Sequence, residues 1–149
     1  MRLQEIVLRT VRLPLIRPYV LSYRTFTEFE PIIVEVRDAD ARVGWGEGHI
    51  SPGSSTETRD GGWTFCREHA AAVIGKDSSE AKAIIARGLA ASKVATTALV
   101  TAIEMLEGHP RLTARHASAA AHPIQQFGAR RHRAGSRTAP ERRLSYLQN

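Results

Sequence analysis

The feature that most limits how this chain can fold is a break at His109. Up to that residue, apolar positions recur with the periods of strands and helices, and beyond it both periods vanish. Residues 110–149 carry 8 Arg against a single acid, Glu141, and Ala and Arg together make up 16 of these 40 residues. Low apolar content and like charge cannot offset the entropy of an ordered chain, so this segment reads as a disordered basic tail. Residues 1–109 hold 13 Lys and Arg against 14 Asp and Glu, which places the whole +6 net charge in the tail. One domain, 1–109, is therefore expected, with room for a single core.

Strand signals come first along that domain. Leu3 to Leu15 mixes Ile6, Val7, Leu8, Val11 and Leu13 with Arg9 and Arg12, a pattern of one strand whose shifted parity predicts a bulge or strong twist. Pro14 and Pro18 are expected to end pairing there, and the aromatic, hydroxyl-rich stretch Tyr19 to Phe29 to run as an exposed loop. Ile32, Val34 and Val36 then share one face of a second strand and Glu35 and Arg37 the other, before a tight turn at Asp38 to Ala41. In RVGWGEG, Val43, Trp45 and Glu47 point one way while Gly44 and Gly46 leave the opposite face bare. These three strands predict an antiparallel meander.

Helix signals follow. Ser54-Ser-Thr-Glu57 has the form of a capping box, so a first helix is expected to open there, with Trp63, Cys66, Ala70, Val73 and Ile74 as its buried stripe and Gly75 at its end. Asp77-Ser-Ser-Glu80 marks a second start, with Ala81, Ile84, Ile85 and Leu89 buried and Gly88 at its fraying end. Ser92 is placed to cap a third helix whose stripe, Ala95, Ala98, Leu99, Ala102, Ile103 and Leu106, is rich in alanine and permits close packing. The fold class that results is α+β, a three-stranded antiparallel meander followed by about three helices.

Several chemistries drop out by counting. Cys66 is the only cysteine, which removes an internal disulfide and a cysteine-rich zinc site and leaves a buried structural thiol as the expected state. His109, His116, His122 and His132 are spaced too irregularly for a compact metal site. Gly44, Gly46 and Gly48 resemble a phosphate loop only superficially, since no Gly-Lys-Ser/Thr follows. No apolar run approaches the roughly 18 residues of a membrane span, and the charged start lacks a secretion signal, so a cytoplasmic address with no membrane partner is expected.

The order of meander, capped helix and alanine-rich helix, with the strings VRLPL, PIIVEVRDAD, GWGEG and TAIEM, resembles the amino-terminal capping domain of the enolase superfamily, mandelate racemase and muconate lactonizing type. The resemblance spans about residues 1–107. Ala41 stands where the family's turn usually has glycine, and after Glu104 the sequence departs from the family's passage into its barrel. In complete members, the resemblance implies, a (β/α)8 barrel supplies the base that abstracts the proton beside a carboxylate and the acids that hold magnesium. Lys76, Lys82 and Lys93 form no Lys-x-Lys pair, and Glu141 is the sole acidic side chain past Glu107. No catalytic residue, metal ligand or cofactor is thus assigned to this chain, which reads as an inactive, truncated relative of a magnesium-dependent racemase, cycloisomerase or dehydratase.

What the resemblance carries over is the capping role. In the family, the loop between the first two strands and the loop after the third close over the barrel mouth; here these are Tyr19 to Phe26 and Gly48 to Gly53. Tyr19, Ser22, Tyr23, Arg24 and Phe26, with His49 and Ile50, are the substrate-binding candidates, offering aromatic faces, hydroxyls and a guanidinium to a small carboxylate. The plainer alternative has Tyr23 and Phe26 simply packing the loop onto the sheet. His69, in a helix, reads as a surface or interface histidine. The expected partners are the missing barrel or a second copy through the exposed cap surface. A different class of function stays open beside this one: non-specific nucleic-acid or protein binding by Arg130, Arg131, Arg133, Arg137, Arg142 and Arg143. Two origins of the tail also stay open, a frameshift near codons 107–112 or a real arginine-rich extension.

Overall fold

The computed structural model describes residues 1–110 and 143–147. Five strands and three helices follow in chain order, β1 (Leu3–Thr10), β2 (Leu13–Val20), β3 (Thr25–Phe29), β4 (Ile32–Asp38), β5 (Val43–Gly48), α1 (Arg59–Val73), α2 (Ser78–Ala86) and α3 (Lys93–Glu107), and a sixth strand, β6 (Arg143–Leu147), lies near the carboxyl end. The main sheet is antiparallel in the order β5-β4-β1-β6, and β2 and β3 form a separate hairpin. The expected meander is the β1, β4, β5 part of that sheet.

One face of this sheet carries Leu3, Ile6, Leu8, Ile32, Val34 and Val36, all buried, and the helices cover it with Trp63, Phe65, Cys66, Ala70 and Val73 from α1, Ala81 and Ile85 from α2, and the whole alanine-rich stripe of α3. α3 lies along β5 and β4. Its closeness explains the bare face of β5: a Cβ on Gly44 would fall 2.0 Å from the Ala102 carbonyl oxygen, and one on Gly46 1.9 Å from that of Ala98. Small residues on both partners bring helix backbone directly onto strand backbone. Cys66 is buried as expected, and burial pushes its thiol up to about 12, which keeps it an inert core residue.

Four expectations are corrected. The stretch Leu3 to Leu15 is not one strand, because the chain leaves the sheet at Val11–Arg12 and β2 pairs with β3 instead. Nor is Tyr19 to Phe29 a loop: Tyr19 and Val20 finish β2, Thr25–Phe29 is β3, and only residues 21–24 turn. Pro14 and Pro18 are tolerated because a two-stranded hairpin leaves one side of each strand unpaired, and the register is irregular between Pro14 and Tyr19. Finally, α1 opens at Arg59 with Thr58 as its cap, not at Ser54. Glu57 turns away to accept hydrogen bonds from Ser92 Oγ at 2.8 Å and from the Lys93 and Val94 amides at 3.2 and 3.3 Å, so it caps α3. Asp77 and Ser92 cap α2 and α3 as their sequence patterns indicate, whereas Leu89 lies beyond α2 and is 49% exposed.

The outer face of the sheet holds a charge that periodicity alone marks as solvent-facing. Glu35 is only 2% exposed, because Arg9 Nη1 at 2.6 Å and Arg37 Nε at 2.8 Å fold over it. Burial works to raise its carboxyl, and the hydrogen bonds from the two guanidinium groups outweigh this and hold it below the usual range. Among the described residues no helix is long and apolar enough to cross a membrane. β6 lies within the stretch expected to be a disordered tail and pairs antiparallel with β1; residues 111–142 and 148–149 of that stretch lie outside the described residues.

Candidate functional site

Two segments distant in sequence meet at one end of the sheet. β5 delivers the loop beginning at His49, and the β2–β3 hairpin folds back so that its turn, residues 21–24, lies over that loop. The Tyr23 and Ser51 hydroxyls are 3.0 Å apart and share a hydrogen bond. Gly53, with φ of 99°, lets the loop pass under the Tyr23 ring, since a Cβ there would sit 3.0 Å from the Tyr23 ring carbon Cδ2. Tyr23 in turn meets Phe26 edge-on at 6.5 Å, and the Arg24 guanidinium lies 5.3 Å from the Phe26 ring centre.

Beneath the turn is an aromatic box. Phe26 and Phe29 pack against each other at 5.7 Å, and both contact the His49 ring edge-on, at 6.2 and 4.6 Å. Both ring nitrogens of His49 are buried without a hydrogen-bond partner among the described residues. Burial, and after it the positive charge of Arg59, lowers the His49 pKa below the ordinary histidine value. Ile50, 2% exposed, packs on the first turn of α1, where a Cβ on Gly62 would come within 2.1 Å of Ile50 Cδ1. Beside it opens a cleft of about 330 Å³ lined by Ile50, Ile32, Trp63 and the charged groups Arg12, Glu30, Arg59 and Asp60. Arg12 bridges Glu28 at 2.5 Å and Glu30 at 3.2 Å, and Arg59 closes on the same Glu30.

The seven residues singled out from sequence thus divide by depth. Tyr19, Ser22, Tyr23 and Arg24 are exposed on the hairpin, Tyr19 resting edge-on against Phe29 at 6.2 Å. Phe26, 3% exposed, and Ile50 lie under that surface, and His49 is partly covered between them. Phe29, Ser51 and Gly53 complete the assembly: Ser51 and Gly53 lie in the Gly48 to Gly53 loop expected to close the site, and the contacts of all three come from the hairpin's fold-back, for which no local motif exists. His69 is structural, stacked on Phe65 at 3.8 Å with Nδ1 2.9 Å from the Phe65 carbonyl oxygen. Among the described residues no group of three or more His, Cys, Asp or Glu could hold a metal ion, so these residues supply no ligand set for magnesium. The arginines from Arg130 to Arg142 lie outside the described residues.

A main sheet backed by three helices, with a hairpin and a loop meeting at one end, is an α+β architecture and not a barrel. Specifically, over 68–74% of its length the chain has the fold of part of solved racemases and epimerases, among them a mandelate racemase/muconate lactonizing protein of Herpetosiphon aurantiacus. The comparisons bear this out. It superposes on the dipeptide epimerase of Enterococcus faecalis, solved with Mg and L-Leu-L-Tyr, with a TM-score of 0.67 at 21% identity, covering 74% of this chain and 32% of that one. With the N-succinyl Arg/Lys racemase of Bacillus cereus the TM-score is 0.66 at 23% identity, covering 72% and 30%. In sequence, 46 residues are 41% identical to the L-Lys-D/L-Arg epimerase of Methylococcus capsulatus, 31% of this chain and 13% of that protein. No family model matches the chain. It spans about a third of the length of these solved relatives.

Proposed function

We propose that residues 1–109 are the lid of a mandelate racemase/muconate lactonizing-type enzyme, closing over a carboxylate substrate held in a magnesium-dependent barrel that abstracts the proton beside the carboxylate. The observation that supports this best is the convergence of residues 21–24 and 49–53 through the Tyr23–Ser51 hydrogen bond. It joins two loops into one surface that presents a phenol, two hydroxyls and a guanidinium. In this reading Arg24 meets the substrate's carboxylate or a neighbouring polar group, Tyr19 and Tyr23 exclude water, and the Phe26–Phe29–His49 box holds the surface rigid from below. The partner is a barrel, or a second copy through the same surface, and the site of action is the cytoplasm.

Because the described residues offer neither a metal site nor a Lys-x-Lys base, the chain by itself is expected to turn nothing over. Incubation with magnesium and dipeptide or N-succinyl amino acid substrates should give no racemisation; turnover abolished by a chelator would overturn this. The lid role is tested by grafting residues 1–109 in place of the corresponding segment of the Methylococcus epimerase. The chimaera is expected to epimerise dipeptides, with Arg24→Ala raising KM more than it lowers kcat. A folded but inactive chimaera would refute the lid. Reading the coding DNA in its other two forward frames decides the origin of the tail: a Lys-x-Lys segment followed by spaced acidic strand ends marks a frameshift, and stop codons throughout exclude it.

A further inference from the structure

β1 is the only long strand of the main sheet whose outer partner comes from the far end of the chain. β6 pairs with it from Glu5↔Leu147 through Ile6↔Tyr146, Val7↔Ser145 and Leu8↔Leu144 to Arg9↔Arg143. Directly opposed residues of an antiparallel pair share a face, so Tyr146 and Leu144 extend the row of Ile6 and Leu8, and both pack against the buried core. Ser145, between them, is exposed. What β1 recognises is therefore an extended segment of the pattern apolar, small polar, apolar, held by backbone hydrogen bonds along an otherwise open edge.

We propose that the β1 edge is a strand-accepting groove and that its second occupant, besides the chain's own residues 143–147, is the same segment of another copy. Two further facts support exchange. Residues 111–142 stand between the last described residue after α3 and β6, and a chain of that length reaches at most about 110 Å when extended. A domain of about 100 residues has a radius of gyration near 13 Å, so connectivity does not confine the strand to its own sheet. Among the described side chains, Leu144 and Tyr146 hold the strand in addition to its pairing, and no disulfide ties it, since the only cysteine is buried in α1. Intramolecular docking competes with an effective concentration on the order of millimolar, so exchange belongs to concentrated protein or to copies whose own strand is weakened.

The test uses the full chain. Ser145→Pro removes one backbone donor from the middle of β6 and disrupts the pairing. A labelled peptide with the sequence of residues 141–149 is titrated into wild type and variant while amide exchange of residues 3–10 is followed by mass spectrometry. S145P is expected to lose protection in β1, to bind the peptide at least ten-fold more tightly than wild type, and to regain protection when it is bound. Tyr146→Ala, which keeps every backbone donor, is expected to give the same order with a two- to five-fold difference, and serves where S145P does not fold. Mass-tagged S145P mixed with wild type should form mixed dimers that S145P alone does not. Equal peptide affinity in wild type and variants, or unchanged β1 exchange, overturns the groove. Peptide binding without mixed dimers overturns the second copy as its occupant.

Discussion

Ala41 shows at the scale of one residue what a departure from a family's usual turn costs. Its φ of 59° is the only positive value at a non-glycine among the described residues. The turn survives because Asp38 organises it, accepting from the Asp40 and Arg42 amides at 3.0 Å and from Arg42 Nε at 2.7 Å. A left-handed residue with a Cβ is disfavoured by roughly 1–2 kcal/mol, and glycine returns part of that through the freedom of the unfolded chain. Ala41→Gly is therefore expected to stabilise the fold by about 0.5–1 kcal/mol, read as a higher urea midpoint with an unchanged slope. His49 supplies the second residue-scale expectation. Burial and Arg59 depress its pKa, so the folded state binds the proton more weakly than the unfolded chain, whose histidine titrates near 6.5. Stability is then fully present above that pH and falls as pH drops below it. His49→Phe, which fills the same aromatic box, should flatten the loss between pH 7.5 and 5.5; identical pH dependence in the two proteins would remove His49 as its source.

Among the elements, the starts of α2 and α3 stand where their capping residues indicate, and that of α1 does not. The stripes of α1 and α3 follow from 3.6-residue periodicity and all reach the core, Ile74 only partly. The capping-box pattern at Ser54 to Glu57 failed because a carboxylate satisfies any amide within reach, and the chain's fold-back brings the amino end of α3 within hydrogen-bonding distance of Glu57 while Thr58 caps α1. Glu57→Ala is accordingly expected to cost about 1–2 kcal/mol, the usual penalty for losing a cap with more than one hydrogen bond. Its effect should appear as faster amide exchange in the first turn of α3, with the first turn of α1 unaffected; the reverse pattern would return Glu57 to α1. The hairpin was missed for a related reason. Its aromatic and β-branched content is that of strands, but the prolines and the absence of a short Gly-containing turn masked it.

For the molecule as a whole, paired carboxylates tie stability to acid. Glu35, Asp38 and Glu107 are each held below their ordinary range, burial opposing and hydrogen bonds from Arg9 and Arg37, from Arg42 and from Lys82 prevailing. Asp77 is brought to about 2, first by the hydrogen bond from the amino-terminal ammonium and then by the Ser79 amide. Their folded values lie below the unfolded ones, so this stabilisation is complete above about pH 4.5 and is lost as pH falls through the folded values. Urea midpoints should hold steady from pH 6 to 5 in the His49→Phe protein and drop steeply from 4.5 to 2; a flat profile there would mean the ion pairs contribute nothing. The sequence by itself determined that strands stand at β1, β4 and β5, and it determined the buried stripes of α1 and α3, because these rest on local periodicity and on residue chemistry that acts within a few positions. Only the tertiary structure decided that β2 and β3 pair apart from the sheet, that Glu57 caps a distant helix, that Glu35 is buried under two arginines, and that residues 143–147 close the edge of β1. Each of those depends on which groups meet across long stretches of chain, where backbone donors and charges take whichever partner the packing of the core brings within reach.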